Sequence, residues 1–278
     1  YDVLNNFVID SKLVPLKTGE IPLAKEHLLQ TKKRDLIIYD RGYPSFELAN
    51  SHYTLGVDFL FRVKVSFNNV IKAFVKSGKT SQVVDLRPSQ SKSFMGKDYT
   101  KNSTLKVRLI SVKLDDGSTE VLMTSLLNSK KYRNKIFKEL YFKRWGVETF
   151  YDEFKNKLKA EHFSGYSKHC IQQDFYTALF VSNVQSLIVG EINEELCENK
   201  ITKYEYKVNN NLSYGFLKDR IVTLFFSDTD TEKTMTELKY LFKKHLVPIR
   251  PNRKFDRHKD KYRNRQKPKV PKNFKDAI

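Results

Sequence analysis

Tyr141, Arg144, Glu148 and Lys155 stand at offsets of 3, 7 and 14 in the segment YFKRWGVETFYDEFK. In one continuous helix, at about 100° per residue, they fall within roughly 60° of one another. A carboxylate, two cations and a phenol would then share one narrow face. Four polar side chains gathered on one face look functional on spacing alone. Ile136, Leu140, Val147, Phe150, Phe154 and Leu158 cluster on the other side as an apolar stripe that can dock on a sheet. Trp145 falls at the edge of the polar face. A plainer reading stands beside this one: Arg144 and Glu148 are also an i,i+4 pair of the kind that helices carry for stability.

A second acid adds weight. Asp40 follows the apolar run Leu36-Ile37-Ile38-Tyr39 and precedes Arg41-Gly42. The run predicts a strand buried on both faces, and the carboxyl ends of such strands are where open α/β sheets bind ligands. An Asp in a strand-to-helix turn is common in its own right, so this residue alone decides nothing.

The elements that must position these groups read as follows. Residues 1–9 suggest a strand interrupted at Asn5-Asn6, and 11–19 a second short strand ending in a turn. Pro22 opens a helix, where a proline is tolerated in the first turn. Pro44 starts another helix through about Asn50, and DFLFRVKV at 58–65 is a strand. From 66 to 128 the composition turns to Ser, Thr, Lys and Val, with a hairpin signal at Asp115-Asp116-Gly117 flanked by strand patterns. Residues 130–159 and 172–198 are helical, and 234–245 form a last short helix. The expected organisation is a first core part at 1–65, a β-rich insertion at 66–128, a core continuation with the helix of interest at 129–246, and a basic tail at 247–278.

The 278 residues carry a formal charge of +19. Residues 250–278 hold 12 Lys and Arg against 3 Asp, a net of +9, and the remainder carries +10. The tail reads as extended or disordered until it meets a partner, and the excess points to an acidic polymer, nucleic acid ahead of an anionic membrane. Two cysteines, Cys170 and Cys197, make no disulfide framework or metal knuckle. The longest apolar stretch, 177–190, is shorter than the roughly 20 residues of a membrane span and reads as a buried helix. His162, His169 and Cys170 fit no zinc spacing. Asn209-Asn210-Asn211 reads as a loop, and Asp228, Asp230 and Glu232 read as the approach to a helix at Thr234.

Together the two acidic segments resemble the DDE transposases of the insertion-sequence four group. Their signature, Y-x2-R-x3-E-x6-K, is met by Tyr141, Arg144, Glu148 and Lys155, and D-R-G-Y at 40–43 is similar to their second catalytic aspartate motif. YDVLNNFVIDSKLVP at the start and the basic C-terminal stretch are similar too.

The resemblance implies an α/β fold, a ribonuclease H-like mixed sheet with flanking helices, interrupted by a β-rich insertion. It also implies metal-dependent phosphodiester hydrolysis and strand transfer at transposon ends, with two Mg²⁺ ions (Mn²⁺ as a substitute) bound by Asp40 and Glu148. Tyr141, Arg144 and Lys155 would hold the DNA backbone. Trp145 would stack on an unpaired base, or else be a core-edge side chain. Arg41 would neutralise a phosphate or brace Asp40. The partners implied are double-stranded DNA, as terminal inverted repeats and target, and a second copy of the chain on that DNA. The setting implied is a bacterial cytoplasm, at the nucleoid, away from membranes. The family's first catalytic Asp sits on a strand upstream of the segment that opens this chain, so the sequence reads as lacking it; Asp2 and Asp10 match positions after that motif. A truncated or inactive transposase remnant that binds DNA without catalysis is the alternative.

Overall fold

The computed structural model describes residues 1–90, 93–114, 117–198, 205–226 and 231–249, the side chains of 197 and 198 excepted. The 115–116 turn, Asp228, Asp230, the Cys197 side chain and the tail from 250 lie outside the described residues. The chain divides into two compact units. One is Asp10–Gly146; the other combines Tyr1–Ile9 with Val147–Ile278.

The first unit is built on a five-stranded mixed sheet. Its strands are β1 (Leu36–Tyr39), β2 (Asp58–Val63), β3 (Ser81–Leu86), β4 (Leu105–Lys113) and β5 (Thr119–Thr124), in the order β1-β2-β5-β4-β3. β1 and β2 run parallel and the other neighbours antiparallel. The strands of the 66–128 stretch thus extend the same sheet that holds β1 and β2. β1 lies at an edge of this sheet, and only Tyr39 of it is fully buried, so its apolar run is less enclosed than expected.

Period-two alternation divides the apolar residues between two faces. Phe59, Phe61, Val107, Leu109, Val121 and Met123 face one way, with helices α1 (Glu20–Leu28), α2 (Phe46–Leu55) and α3 (Asn69–Lys76). Leu60, Ile110, Val112 and Leu122 face the other, where Phe137 and Tyr141 of α4 (Ile136–Phe142) cover them. α2 starts after Pro44, with the Ser45 hydroxyl accepting the Leu48 N–H at 3.1 Å, and it runs past Asn50 to Gly56. Gly56 adopts φ 67, the left-handed conformation that closes a helix without a Cβ penalty, and so turns the chain into β2. The parallel β1–α2–β2 crossover this creates fixes where β1 ends.

His52 of α2 is fully buried. The Val57 carbonyl can only accept, so Nδ1 carries the hydrogen across 3.1 Å, leaving Nε2 to accept the Tyr39 hydroxyl at 3.0 Å. Burial holds the imidazole down at about 4 and pushes the Tyr39 hydroxyl up.

The second unit is mainly helical: α5 (Trp145–Asn156, beginning at the last residues of the first unit), α6 (Lys168–Glu198), α7 (Asn210–Phe226) and α8 (Thr231–Lys244). A two-stranded ribbon pairs β6 (Tyr206–Val208) with β7 (Leu246–Pro248). Val184, Ile188 and Ile192 of α6 pack with Leu217 and Leu224 of α7 and Leu238 and Phe242 of α8. α6 is long and apolar enough to cross a membrane by length and composition, but here one side of it lines this core. Residues 1–9 form no regular strand. Asp2 caps the Leu4 and Asn5 N–H groups, Asn6 takes φ 54, and Val8 exchanges 2.9 Å bonds with the Asn183 side chain through both N–H and C=O. Segment 11–19 likewise forms no strand; it ends in a turn from Pro15 to Thr18.

Because the unfolded imidazole titrates near 6.5 and the folded one near 4, the unfolded state binds more protons between these values. Stability is therefore full above about pH 6.5 and declines as pH falls toward 4. Thermal melts across this range are expected to show that decline, and His52→Gln, which keeps a neutral polar side chain, is expected to flatten it.

Candidate active site

Asp40 directly follows β1, and the alternation that sends Tyr39 toward His52 sends Asp40 to the opposite face. There the Tyr141 hydroxyl donates to Asp40 Oδ1 at 3.2 Å, joining residues 101 apart in sequence. Burial alone would raise the Asp40 carboxyl. The Arg41 backbone N–H, the Arg144 charge, the Tyr141 hydroxyl and the Arg62 charge outweigh it and hold the group below its usual range. Burial pushes the Tyr141 hydroxyl up, so it remains a proton donor to the carboxylate.

The expected single helix over 130–159 is in fact two. α4 ends at Phe142, and the link to α5 is a tight turn in which Arg144 N–H bonds the Tyr141 carbonyl (3.1 Å) and Gly146 N–H the Lys143 carbonyl (2.9 Å). Gly146 costs about 1 kcal/mol of helix propensity relative to Ala at this point. The apolar stripe accordingly splits. Ile136 and Leu140 pack on the sheet of the first unit, while Phe150, Phe154 and Leu158 form a separate cluster in the second. Tyr141 leaves the expected open polar face and is 7% exposed. Arg144 is buried as well, its guanidinium 5.7 Å from the Tyr141 ring centroid and 5.0 Å from that of Trp145. Trp145 keeps 45% of its surface exposed, and Arg41 is exposed.

In the second unit, Glu148 lies in the first turn of α5 and Lys155 in the last. Seven residues apart, they share a helix face and both are exposed, while Phe150 and Phe154 turn inward. Lys155 pairs with Glu161 at 2.7 Å.

Residues outside the sequence expectation complete both halves. Arg62 acts on Asp40 and Tyr141 and pairs with Glu120 at 2.6 Å. The parallel register, Tyr39 opposite Phe61, explains its place next to Asp40, but no signal in the sequence pairs those strands. Beneath Glu148 and Lys155, the Glu153 carboxylate accepts two bonds from Asn210 Nδ2 (2.9 and 3.1 Å) and one from Lys157 (2.7 Å). Asn209, expected in a loop, is instead the cap of α7, its Oδ1 accepting the Asn211 N–H at 3.1 Å.

A family model described as a transposase DDE domain matches residues 1–184, about two thirds of the sequence. The chain belongs to the DDE transposase family. It is 24% identical over 173 residues to the transposase InsG for insertion sequence element IS4 of Escherichia coli strain K12, a match covering 61% of this chain and 38% of that protein. The chain thus spans well under two thirds of that relative. It is also similar to a cryo-EM structure of the piggyBac transposase synaptic complex with hairpin DNA. That likeness has a TM-score of 0.44 at 12% identity, covering 86% of this chain and 44% of that one. Among the described residues of this DDE transposase chain, no three His, Cys, Asp or Glu side chains cluster as a metal cage.

Two outcomes test these geometries. Tyr141→Phe removes a hydrogen bond to the ionised carboxylate, so the Asp40 pKa is expected to rise, as read by NMR titration of carboxyl-labelled Asp. Asn210→Ala strips the Glu153 carboxylate of its amide partner and is expected to cost about 1.5–3 kcal/mol in urea unfolding.

Proposed function

We propose that this chain carries two catalytic acids of a DNA transposase, Asp40 and Glu148. The reaction is phosphodiester hydrolysis and strand transfer at transposon ends. The observation that carries the reading is the bond between the Tyr141 hydroxyl and Asp40. It joins the Tyr of Y-R-E-K to the Asp of D-R-G-Y, and the neighbours of that carboxylate keep it ionised.

DDE transposases use divalent metal ions. An ionised carboxylate at a strand end, with one hydroxyl donor on it, suits Mg²⁺, which takes one or two carboxylates and fills the rest of its shell with water and substrate phosphate. Asp40 and Glu148 would hold two such ions, with Mn²⁺ as a substitute. When bound, the pair supplies activation of the attacking oxygen and stabilisation of the leaving one. The protein's own part is positional and electrostatic. Tyr141 orients the Asp40 carboxylate through its hydroxyl. Arg144 and Arg62 balance the negative charge around Asp40 and favour an incoming phosphate. Lys155 offers a cation on the same α5 face as Glu148, exchanging Glu161 for a DNA phosphate. Arg41 supplies a further exposed cation beside Asp40, and Trp145 presents a half-exposed indole on which an unpaired base can stack.

The fold that frames this chemistry is read as ribonuclease H-like, with the strands of 66–128 as its β-rich insertion. The substrates are double-stranded terminal inverted repeats and target DNA, bound by a homodimer in the bacterial cytoplasm, at the nucleoid. A remnant that binds DNA without catalysis is the competing reading. No observation of the fold favours it over the active one.

In the intact transposase, Asp40→Asn and Glu148→Ala are each expected to abolish Mg²⁺-dependent cleavage of end-bearing DNA while leaving DNA binding within about twofold. The measurement is gel-resolved nicking beside a binding titration. Retained cleavage in either variant would remove that residue from the site.

A further inference from the structure

Lys130, Lys131, Arg133, Lys135 and Lys138 place five cations within nine residues, and no acid falls between Leu127 and Lys138. All five are exposed. Lys130, Lys131, Arg133 and Lys135 make no ion pair among the described residues. Lys131 lies over the Tyr132 ring at 5.1 Å, but so dense a set of like charges repels itself, and ion pairing does not account for the other three of these four. Lys135 and Lys138 moreover sit at the N-terminal end of α4, where helices gain from acids rather than bases, so helix stability does not account for them either.

The segment is nonetheless built to hold one shape. The Asn128 side chain accepts the N–H groups of Lys130 and Lys131, both at 3.0 Å, and the Asn128 carbonyl accepts the Tyr132 N–H at 2.9 Å. From beneath, Arg108 of β4 rises on the α4 face of the sheet. It is 1% exposed and has no carboxylate partner among the described residues. Its guanidinium donates to Ser81 Oγ (2.9 Å), to the Tyr132 carbonyl (2.7 Å) and to Asn134 Oδ1 (2.5 Å), and lies over the Phe137 ring. A buried cation thus fastens the basic strip to the sheet at two points, leaving its own charged side chains outward.

We propose that residues 130–138 form a preorganised strip that binds the phosphodiester backbone of duplex DNA, separate from the signature residues. The proposal rests on the reading of the chain as a DNA transposase. The strip leads straight into α4, a helix of about 10 Å whose last turn holds Tyr141 against Asp40. Duplex DNA carries a charge about every 1.7 Å of its axis. A duplex with one phosphate at Asp40 therefore runs several more within reach of a strip one short helix away. Contacts of this kind hold register and orientation and read no bases.

The test is a salt series of fluorescence-anisotropy titrations with this chain, on a random-sequence duplex and on an end-bearing duplex of equal length. The variant combines Lys130→Gln, Lys131→Gln, Arg133→Gln and Lys135→Gln, all on the surface. Its control replaces four exposed lysines of the same unit that make no ion pair, Lys17, Lys32, Lys101 and Lys113, by Gln. Each phosphate contact contributes about 0.9 to the slope of log affinity against log salt, so the strip variant is expected to lose about 3–4 of slope. It is also expected to lose at least tenfold in affinity near physiological salt, with melting unchanged. Equal loss on both duplexes assigns the strip to backbone common to end and target; loss on the end-bearing duplex alone assigns it to the end, and both support the proposal. An unchanged slope, or an equal loss in the control, overturns it while leaving the transposase reading in place. Absence of duplex binding by the unaltered chain overturns that reading and the strip together.

Discussion

Successive side chains of a strand point to opposite faces, and at the end of β1 this constraint separates two tasks. Tyr39 turns to the α2 face and is locked by His52; Asp40, one residue later, turns to the α4 face and meets Tyr141. A one-residue slip of β1 would put a carboxylate into the aromatic cluster of Tyr39, Phe59 and Phe61 and a phenol where the acid is needed. The register is held by parallel pairing with β2 and by the α2 crossover that Gly56 terminates. Much of the first unit can thus be seen as a device for setting the phase of four residues.

The second unit solves a related problem differently. An exposed helix face has no sheet register to set its roll, so α5 is fixed from the inside by Phe150 and Phe154 and by a polar grip on Glu153. Asn210 belongs to both sides of that grip: it starts α7 and reaches back to α5. The Gln185 amide, buried on α6, continues the chain of bonds to Ser213 at 2.9 Å. Polar groups inside this unit are therefore tied to one another across three helices, which favours one packing of them over alternatives.

Local signals in the sequence identify β1, β2, α1, α6 and α8 within a few residues, because apolar runs and Pro or Gly punctuation are local. Asp40 at a strand end and the exposed Glu148–Lys155 face of α5 could be read in the same way. Non-local facts could not. The break between α4 and α5 accompanies the burial of Tyr141 against the sheet, so a single helical wheel through both segments misplaces the phenol. α7 was missed because Gly215 and a buried face that includes Ser213 and Tyr214 blur its apolar period. The expected strand at 1–9 gave way to an Asp2-capped turn, where side-chain bonds to the backbone outcompete pairing. Arg62 is ordinary in its strand and acquires meaning only through the neighbour that the fold gives it.

Two buried polar anchors, His52 on one face of the sheet and Arg108 on the other, differ in what protons can do to them. On the α2 side, the central buried polar contact depends on an imidazole remaining neutral. On the α4 side, Arg108 is held by a hydroxyl, a carbonyl and an amide, none of which titrates, and a guanidinium keeps its charge throughout the range in which proteins work. Acid therefore enters this unit asymmetrically. It loosens the packing behind Tyr39 while the anchor under Tyr132 and Asn134 stays fastened, so the segment carrying the five cations keeps its footing on the sheet after the opposite face begins to give.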